Sequence, residues 1–243
     1  MEILVNNRSW VLIGTTVHDG DFATPTATVF ESELHRYESR ISLFCQHMSL
    51  RLPRAIRVAR LGHTNTVVPV QSRGSSLEFI DSVDGLVTTE RGVALVVTGG
   101  DCPPVFLASQ RQPCIGLAHS GRVGTLGNIA GKLVEAVHHE APHAPLSAWI
   151  GPGICGKCYK VSQEIVRSFS AYPEAESVPG SEHLNLPRVI EAQLRSVLRY
   201  STITHVGGCT MERSDLWFSY RRDVLAGLAP KRPRVQAFIA MLL

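Results

Sequence analysis

Three residues of this chain lie at the ends of apolar runs and carry side chains that bind soft or borderline metal ions. His63 lies in a turn between two apolar segments, Cys102 follows the run at residues 93–97, and His119 follows the run at residues 114–118. Zinc takes thiolate and imidazole ligands, and three protein ligands leave the fourth tetrahedral position to water or substrate. Zinc also lowers the pKa of a water ligand to about 7, which provides a nucleophile at neutral pH. The residue types therefore predict an open metal site of the catalytic kind.

The spacing of these residues alone leaves other interpretations open. Gaps of 39 residues (63 to 102) and 17 residues (102 to 119) match no local metal motif. A capped strand with a buried cysteine fits the same pattern, and so does a Cys–His pair that acts as a nucleophile without metal. Asp101, directly before Cys102, is predicted to orient a histidine or to accept a proton.

Hydrophobic periodicity predicts the elements that position these side chains. The continuous apolar runs at 93–97 and 114–118 indicate strands that are covered on both faces. Helical spacing predicts helices over 29–51, 125–139 and 184–200, and a shorter one over 163–172. Further strands are predicted within 3–16 and at 56–61, 66–70, 77–80, 86–89, 146–150, 203–207, 217–220 and 235–243. Because several strand pairs have no helix between them, we expect a mixed α/β protein with a mixed sheet.

Length and composition limit the class of protein. A chain of 243 residues with 44% hydrophobic content can bury a substantial core, and we expect one domain over residues 1–243. The net charge of +3 comes without a run of like charges, which argues against a nucleic-acid partner. No apolar stretch reaches the ~18 residues of a membrane helix. The absence of a signal peptide and the six cysteines favour reduced thiols in a cytoplasmic protein, whose oligomeric state stays open.

The remaining cysteines give weaker signals. Cys45 and Cys114 lie within apolar patterns and are expected in the core. CGKC at 155–158 has the spacing of a zinc half-site or a redox motif. A structural zinc site would need a second pair of ligands, for which Cys209 with His205 is the candidate. The sequence alone favours an ordinary loop at this position.

Seven segments, taken in order, resemble the multicopper polyphenol-oxidase or laccase-domain family, which is also regarded as a family of purine nucleoside phosphorylases. These segments are LGHTNTV at 61–67, DGLVTT at 84–89, GDCPPVFL at 100–107, HSGRVGT at 119–125, IGPGICGKCYKV at 150–161, CT at 209–210 and FSYRRD at 218–223. The resemblance implies a four-layer α/β/β/α, cysteine-hydrolase-like laccase-domain fold and a zinc ion held by His63, Cys102 and His119. It also implies phosphorolysis of adenosine, inosine, guanosine and methylthioadenosine, and possible deamination of adenosine. The partners are then a purine nucleoside and phosphate.

The resemblance also suggests residues that contact the substrate. Asp101 joins the three metal ligands as a catalytic candidate, while Arg40, Arg122 and Arg221 are expected to bind phosphate or ribose. The family pattern HAGWRG is replaced here by HSGRVG, which lacks the tryptophan and has the arginine one position early.

Other functions fit parts of the pattern. A copper-dependent polyphenol oxidase is one alternative, although one cysteine and two histidines make a single site whereas multicopper oxidation needs several coppers. A metal-free Cys–His hydrolase is a second. A degenerate paralogue that binds metal without catalysis is the third.

Overall fold

A computed structural model of the chain describes residues 2–7, 9–22, 31–47, 51–176, 180–198, 201–228 and 234–243. Within these ranges there are two short 3-10 turns in addition to the strands and α-helices. The strands are β1 (Glu2–Asn6), β2 (Trp10–Gly14), β3 (Ala55–Arg60), β4 (Val67–Pro69), β5 (Leu77–Asp81), β6 (Gly85–Thr88), β7 (Val93–Gly99), β8 (Pro104–Ser109), β9 (Ile115–His119), β10 (Leu146–Ile150), β11 (Ile203–His205) and β12 (Gln236–Leu242). The helices are α1 (Glu31–His47), α2 (Arg122–Leu126), α3 (Ile129–Glu140), α4 (Gln163–Ser168), α5 (Leu186–Val197) and α6 (Tyr220–Leu225).

The strands form two mixed sheets. The first sheet has the order β1-β2-β12-β7-β3-β5, and the second has the order β11-β10-β8-β9-β6-β4. In the first sheet β3 is parallel to β5 and β7, whereas β12 is antiparallel to both of its neighbours. In the second sheet β10 is parallel to β11 and antiparallel to β8. The predicted mixed α/β class is therefore confirmed.

Buried apolar side chains form three clusters around these sheets. One cluster joins the two sheets and includes Leu95 of β7 and Phe106 of β8. A second packs Leu133 of α3 and Leu194 of α5 against the second sheet. A third packs Tyr37 of α1 against the first sheet. Because the side chains of the first turns of α1 lie outside the described residues, the complete four-layer order stays a prediction.

Strand β8 was not predicted, and it brings Cys102 to His119. No element was predicted for residues 103–113, which lie between the predicted strands at 93–97 and 114–118. Instead β8 begins at Pro104 and runs antiparallel to β9, with Pro104 opposite His119. Cys102 lies in the short loop between β7 of the first sheet and β8 of the second. The two predicted strands that end near Cys102 and His119 thus belong to different sheets.

The single helix predicted over 125–139 is two helices. The chain turns between α2 and α3 at Asn128, which has a left-handed φ of 60° and whose side chain caps α3 by accepting from the N–H of Gly131. A Cβ at Gly124 of α2 would lie 2.7 Å from the carbonyl oxygen of Thr64, so α2 packs closely on the loop that carries His63. The break separates α2 from α3.

Two other predictions need comment. The strand predicted at 217–220 is wrong, because the side chain of Ser219 caps the start of α6 by accepting from the N–H of Arg222. Aromatic residues favour strands, but here the local cap decides the structure. The ends of the helix predicted over 29–51 lie outside the described residues. Among the helices that are described, none is long and apolar enough to span a membrane.

Candidate metal centre

A buried carboxylate, Asp84, connects the two histidines predicted to bind metal. Asp84 directly precedes β6 and is fully buried. Its Oδ1 lies 3.0 Å from Nδ1 of His119. Its Oδ2 accepts hydrogen bonds from the N–H groups of Gly62 and Thr64 and from the Thr64 hydroxyl. These bonds hold the loop on both sides of His63, so one carboxylate positions both histidines.

His119 ends β9 and is itself buried, with 3% of its surface exposed. Its N–H donates to the carbonyl oxygen of Asp84 at 2.7 Å. Burial lowers the pKa of His119, but the charge of Cys102 and the hydrogen bonds to Asp84 and Cys102 outweigh it and raise the pKa to about 9. With Nδ1 bonded to Asp84, Nε2 is the nitrogen that remains to bind a metal ion.

His63 lies on the loop between β3 and β4, in an exposed position with a left-handed φ of 52°. A non-glycine residue in that region costs roughly 1–3 kcal/mol, which the bonds of Asp84 to the same loop help to offset. The ring centroids of His63 and His119 are 5.4 Å apart. Partial burial and the charge of His119 lower the pKa of His63, against the opposing effect of Asp84. A neutral imidazole is the form that binds metal.

The thiol of Cys102 lies beside His119, near Gly121. A Cβ at Gly121 would lie 3.1 Å from Sγ of Cys102 and 3.3 Å from Nε2 of His119, so the glycine leaves space beside both donor atoms. The ligand atoms of His63, Asp84 and His119 lie within 4.8 Å of one another. Because both oxygens of Asp84 are already hydrogen-bonded, we assign it to the support of the ligands. Cys102 is not part of the group within 4.8 Å. A zinc site with this thiol as third ligand therefore stays a prediction, although one thiol and two imidazoles are a donor set that zinc accepts.

The carboxylate of Asp101 has other partners than a histidine. It accepts a hydrogen bond from the Thr210 hydroxyl at 2.6 Å and another from the N–H of Arg221 at 2.7 Å. Its carbonyl oxygen accepts from the N–H of Ile154. The histidine-orienting role predicted for Asp101 is carried instead by Asp84. Asp101 ties the Cys102 loop to three other segments of the chain.

Two of the three predicted arginines lie near Tyr159. Arg221 places its guanidinium carbon 5.2 Å from the centroid of the Tyr159 ring and donates to the carbonyl oxygen of Lys160. Burial and the charge of Cys102 raise the pKa of Tyr159, while the charges of Arg122 and Arg221 act in the opposite direction. Tyr159 therefore lies within electrostatic range of the thiol and of both arginines.

The third predicted arginine, Arg40, has its described contacts elsewhere. It donates to the carbonyl oxygen of Asp21 at 3.0 Å and lies 4.8 Å from the centroid of the Phe22 ring. A Cβ at Gly20 would meet its guanidinium at 2.9 Å. No contact between Arg40 and the three predicted metal ligands is found in the described parts of the chain.

Sequence reasoning missed Asp84 and Tyr159 as members of this site. Both lie in segments that carry the family resemblance, DGLVTT at 84–89 and CYKV at 158–161. An acidic residue at the start of a predicted buried strand was the available signal for Asp84, since a buried carboxylate needs a partner. Tyr159 had no signal beyond its position in the motif.

Comparison with known proteins places the chain in a family. Residues 30–229 match the family described as multi-copper polyphenol oxidoreductase laccase. This match covers most of the chain, and the chain therefore belongs to that family.

Individual relatives agree with this assignment. The chain is 36% identical over 170 residues to purine nucleoside phosphorylase ORF3 of Streptomyces griseus, covering 68% of each protein. It is 30% identical over 117 residues to adenosine deaminase RL5 of an unknown prokaryotic organism, covering 45% of each. The crystal structure of YlmD from Geobacillus stearothermophilus superimposes with a TM-score of 0.75 at 27% identity, covering 99% of both chains. Sequence matches to several phosphorylase relatives span between 56% and 68% of their length.

Proposed function

We propose that the protein is a zinc-dependent purine nucleoside phosphorylase whose metal ion is held by His63, Cys102 and His119. Family membership and the names of the relatives support the substrate class. The observation that carries the proposal is the pair of contacts made by Asp84, which binds His119 through one oxygen and the His63 loop through the other. Carboxylates that orient metal-binding histidines in this way are typical of functional zinc sites.

His63, Cys102 and His119 would hold the zinc ion, which would supply Lewis acidity to the reaction. Asp84 accepts the Nδ1–H of His119, which leaves Nε2 on the side of Cys102, and a metal ion bound there would replace the Nε2 proton. Because Gly121 has no side chain, the space next to the Cys102 thiol stays free. Asp101 holds the Cys102 loop through Thr210 and Arg221, so it is a positioning residue.

The reaction itself is a displacement at the sugar. An oxygen of phosphate forms a bond to C1′ of the ribose, the C1′–N9 bond breaks, and the purine leaves with the electron pair and takes up a proton. Arg122 and Arg221 provide positive charge for the phosphate. The phenol of Tyr159 is an O–H donor at neutral pH and can donate a hydrogen bond to the substrate.

Deamination of adenosine is the second candidate, and the name of one relative favours it. In that reaction water adds at C6 of the purine and ammonia leaves, which needs no phosphate. A copper-dependent polyphenol oxidase has less support, because the names of the two sequence relatives described above refer to purine nucleosides and adenosine.

One assay separates these reactions. The zinc-loaded protein is incubated with adenosine, with and without phosphate, and the products are resolved by liquid chromatography. We expect adenine and ribose 1-phosphate that form only with phosphate. Inosine and ammonia formed without phosphate would establish deamination instead. If the zinc-loaded protein produces neither set, the chain is the non-catalytic metal-binding paralogue. Oxygen uptake with a phenol and added copper tests the oxidase alternative.

A further inference from the structure

A second group of metal-binding side chains lies outside the candidate centre. The ligand atoms of Cys155, Cys158, Cys209 and Glu212 lie within 4.8 Å of one another. The thiols of Cys155 and Cys158 are 3.9 Å and 3.8 Å from Oε1 of Glu212. Tetrahedral zinc with Zn–S distances of about 2.3 Å and Zn–O distances of about 2.0–2.2 Å separates its ligand atoms by roughly 3.5–3.8 Å. The group is thus close to the size that a zinc ion requires.

The fold brings these residues together through two neighbouring strands. Strands β10 and β11 are parallel, so the chain leaves both at the same edge of the sheet. After β10 the chain turns tightly, and the N–H of Cys158 donates to the carbonyl oxygen of Cys155 at 3.0 Å. After β11 it passes Gly207 and Gly208, which have positive φ values of 79° and 73° that favour glycine. Cys209 and Glu212 follow directly.

We propose that Cys155, Cys158, Cys209 and Glu212 form a second, structural metal site that binds zinc. Three thiolates make a soft donor set, which selects zinc over magnesium or calcium. The sulfur of Cys209 also accepts a hydrogen bond from the N–H of Cys155 at 3.3 Å, which supports a negatively charged sulfur. On binding, each thiol releases its proton to solvent and forms a bond to the metal.

The cluster crowds three thiols and one carboxylate together, and a bound cation would compensate the charge of the thiolates. The cluster borders a cleft of about 670 Å³ that is also lined by His205 and Arg188, which provides a path for the ion.

The fourth ligand differs from the one that the sequence suggested. His205 was the candidate partner of Cys209, but its Nε2 lies 2.9 Å from Oε2 of Glu191. Glu212 takes that place, three residues after Cys209, where the turn following β11 directs its carboxylate back to the two thiols. Sequence spacing alone could not show this, because Glu212 lies in the loop after β11 and the two thiols it contacts lie in the loop after β10.

The second site would stabilise two loops next to the first site. Cys209 directly precedes Thr210, whose hydroxyl binds Asp101. Cys158 directly precedes Tyr159, whose ring centroid lies 5.2 Å from the guanidinium carbon of Arg221. A zinc ion at the cluster would therefore join the two loops that carry Thr210 and Tyr159.

Cobalt binding tests this inference on the full-length chain, because each thiolate ligand adds sulfur-to-cobalt absorption in the near ultraviolet. The reduced, metal-free protein is titrated with Co²⁺ as wild type and as Cys102→Ser, Cys158→Ser and Cys114→Ala variants. Cys114 is a buried cysteine outside both clusters and serves as the control. We expect Cys102→Ser to retain most of the thiolate absorption, Cys158→Ser to lose most of it, and Cys114→Ala to match wild type.

The outcomes separate the second site from the proposed function. Loss of all thiolate absorption in Cys102→Ser would overturn the second site and leave the first intact. If the thiolate absorption is retained in Cys102→Ser and lost in Cys158→Ser, the second site is supported, whatever the enzymatic assay shows. X-ray absorption of the zinc-loaded wild type checks the result without any variant. We expect an average of about two sulfur ligands per zinc, because the second site supplies three thiolates and the first site supplies one. One sulfur per zinc, or a Cys155–Cys158 disulfide found by mass spectrometry under reducing conditions, contradicts the proposal.

Discussion

The two clusters of metal-binding residues are built in different ways. In the first, the buried carboxylate of Asp84 binds His119 and the loop of His63, and the proposed thiol ligand, Cys102, lies on the loop after β7. The second places three thiols and the carboxylate of Glu212 in turns beyond β10 and β11. Three protein ligands leave a position for substrate, whereas four ligands fill a tetrahedral ion. If both clusters bind zinc as proposed, this difference suits the first to chemistry and the second to holding loops together.

Support from outside the ligands also differs between the clusters. Asp84 makes four hydrogen bonds that fix His119 and the His63 loop. The second cluster has a backbone N–H bond to Cys209 and no comparable buried carboxylate among the described residues. A catalytic ligand must hold its orientation during a reaction, so it gains more from such a partner than a structural ligand does.

Replacing Cys102 by serine should have the largest effect. The variant removes the thiolate from the first cluster, and we expect phosphorolysis to fall by more than about 100-fold, the upper end for loss of a residue that only supports a ligand. The measurement is kcat/KM for adenosine at saturating phosphate, with Cys114→Ala as the matched cysteine control. An equal loss in both variants would mean that the thiol at position 102 has no special role.

Replacing Asp84 by asparagine should have the next largest effect. An amide can keep the size of the side chain but cannot supply the charge that orients His119, so we expect a loss of about 10- to 100-fold in activity or metal affinity. The control is Asp81→Asn, because Asp81 is exposed and pairs with Arg60 at the surface. Equal activity of the two variants would contradict the assignment of Asp84.

The contrast between the clusters also explains which features were predictable from sequence. Continuous apolar runs identified the strands before Cys102 and His119, because a buried strand has a strong local pattern. The role of Asp84 depended on the pairing of β6 with β9, which places Gly85 opposite Ala118. Such pairing is non-local, and no spacing rule contains it. The same reason hid the link between Glu212 and the CGKC turn, whose ligands come from two separate loops.

Arg122 tests how far the changed loop after His119 alters the substrate site. This residue is exposed at the start of α2 and lies within electrostatic range of Tyr159. If it binds phosphate, Arg122→Ala should raise the KM for phosphate by about tenfold, in line with the loss of one hydrogen bond to a charged group. The KM for adenosine should change less. A larger rise for adenosine than for phosphate would assign Arg122 to the nucleoside.

The smallest expected effect concerns stability and isolates the second cluster. Zinc at tenfold its dissociation constant stabilises the folded protein by about 1.4 kcal/mol, since it binds the native state alone. For a chain of this size that raises the unfolding temperature by roughly 3 to 6 °C. Both clusters would contribute in the wild type, so the measurement is made in Cys102→Ser, where only the second remains intact.

In differential scanning fluorimetry, zinc should then raise the unfolding temperature of Cys102→Ser. This increase should disappear in the double variant Cys102→Ser/Cys158→Ser. A rise that persists in the double variant would place the ion elsewhere in the chain. If Cys102→Ser shows no rise, the four residues do not hold zinc, and the turns beyond β10 and β11 are stabilised by their hydrogen bonds alone. The two clusters would then differ in function as well as in construction, with only the Asp84-supported one binding metal.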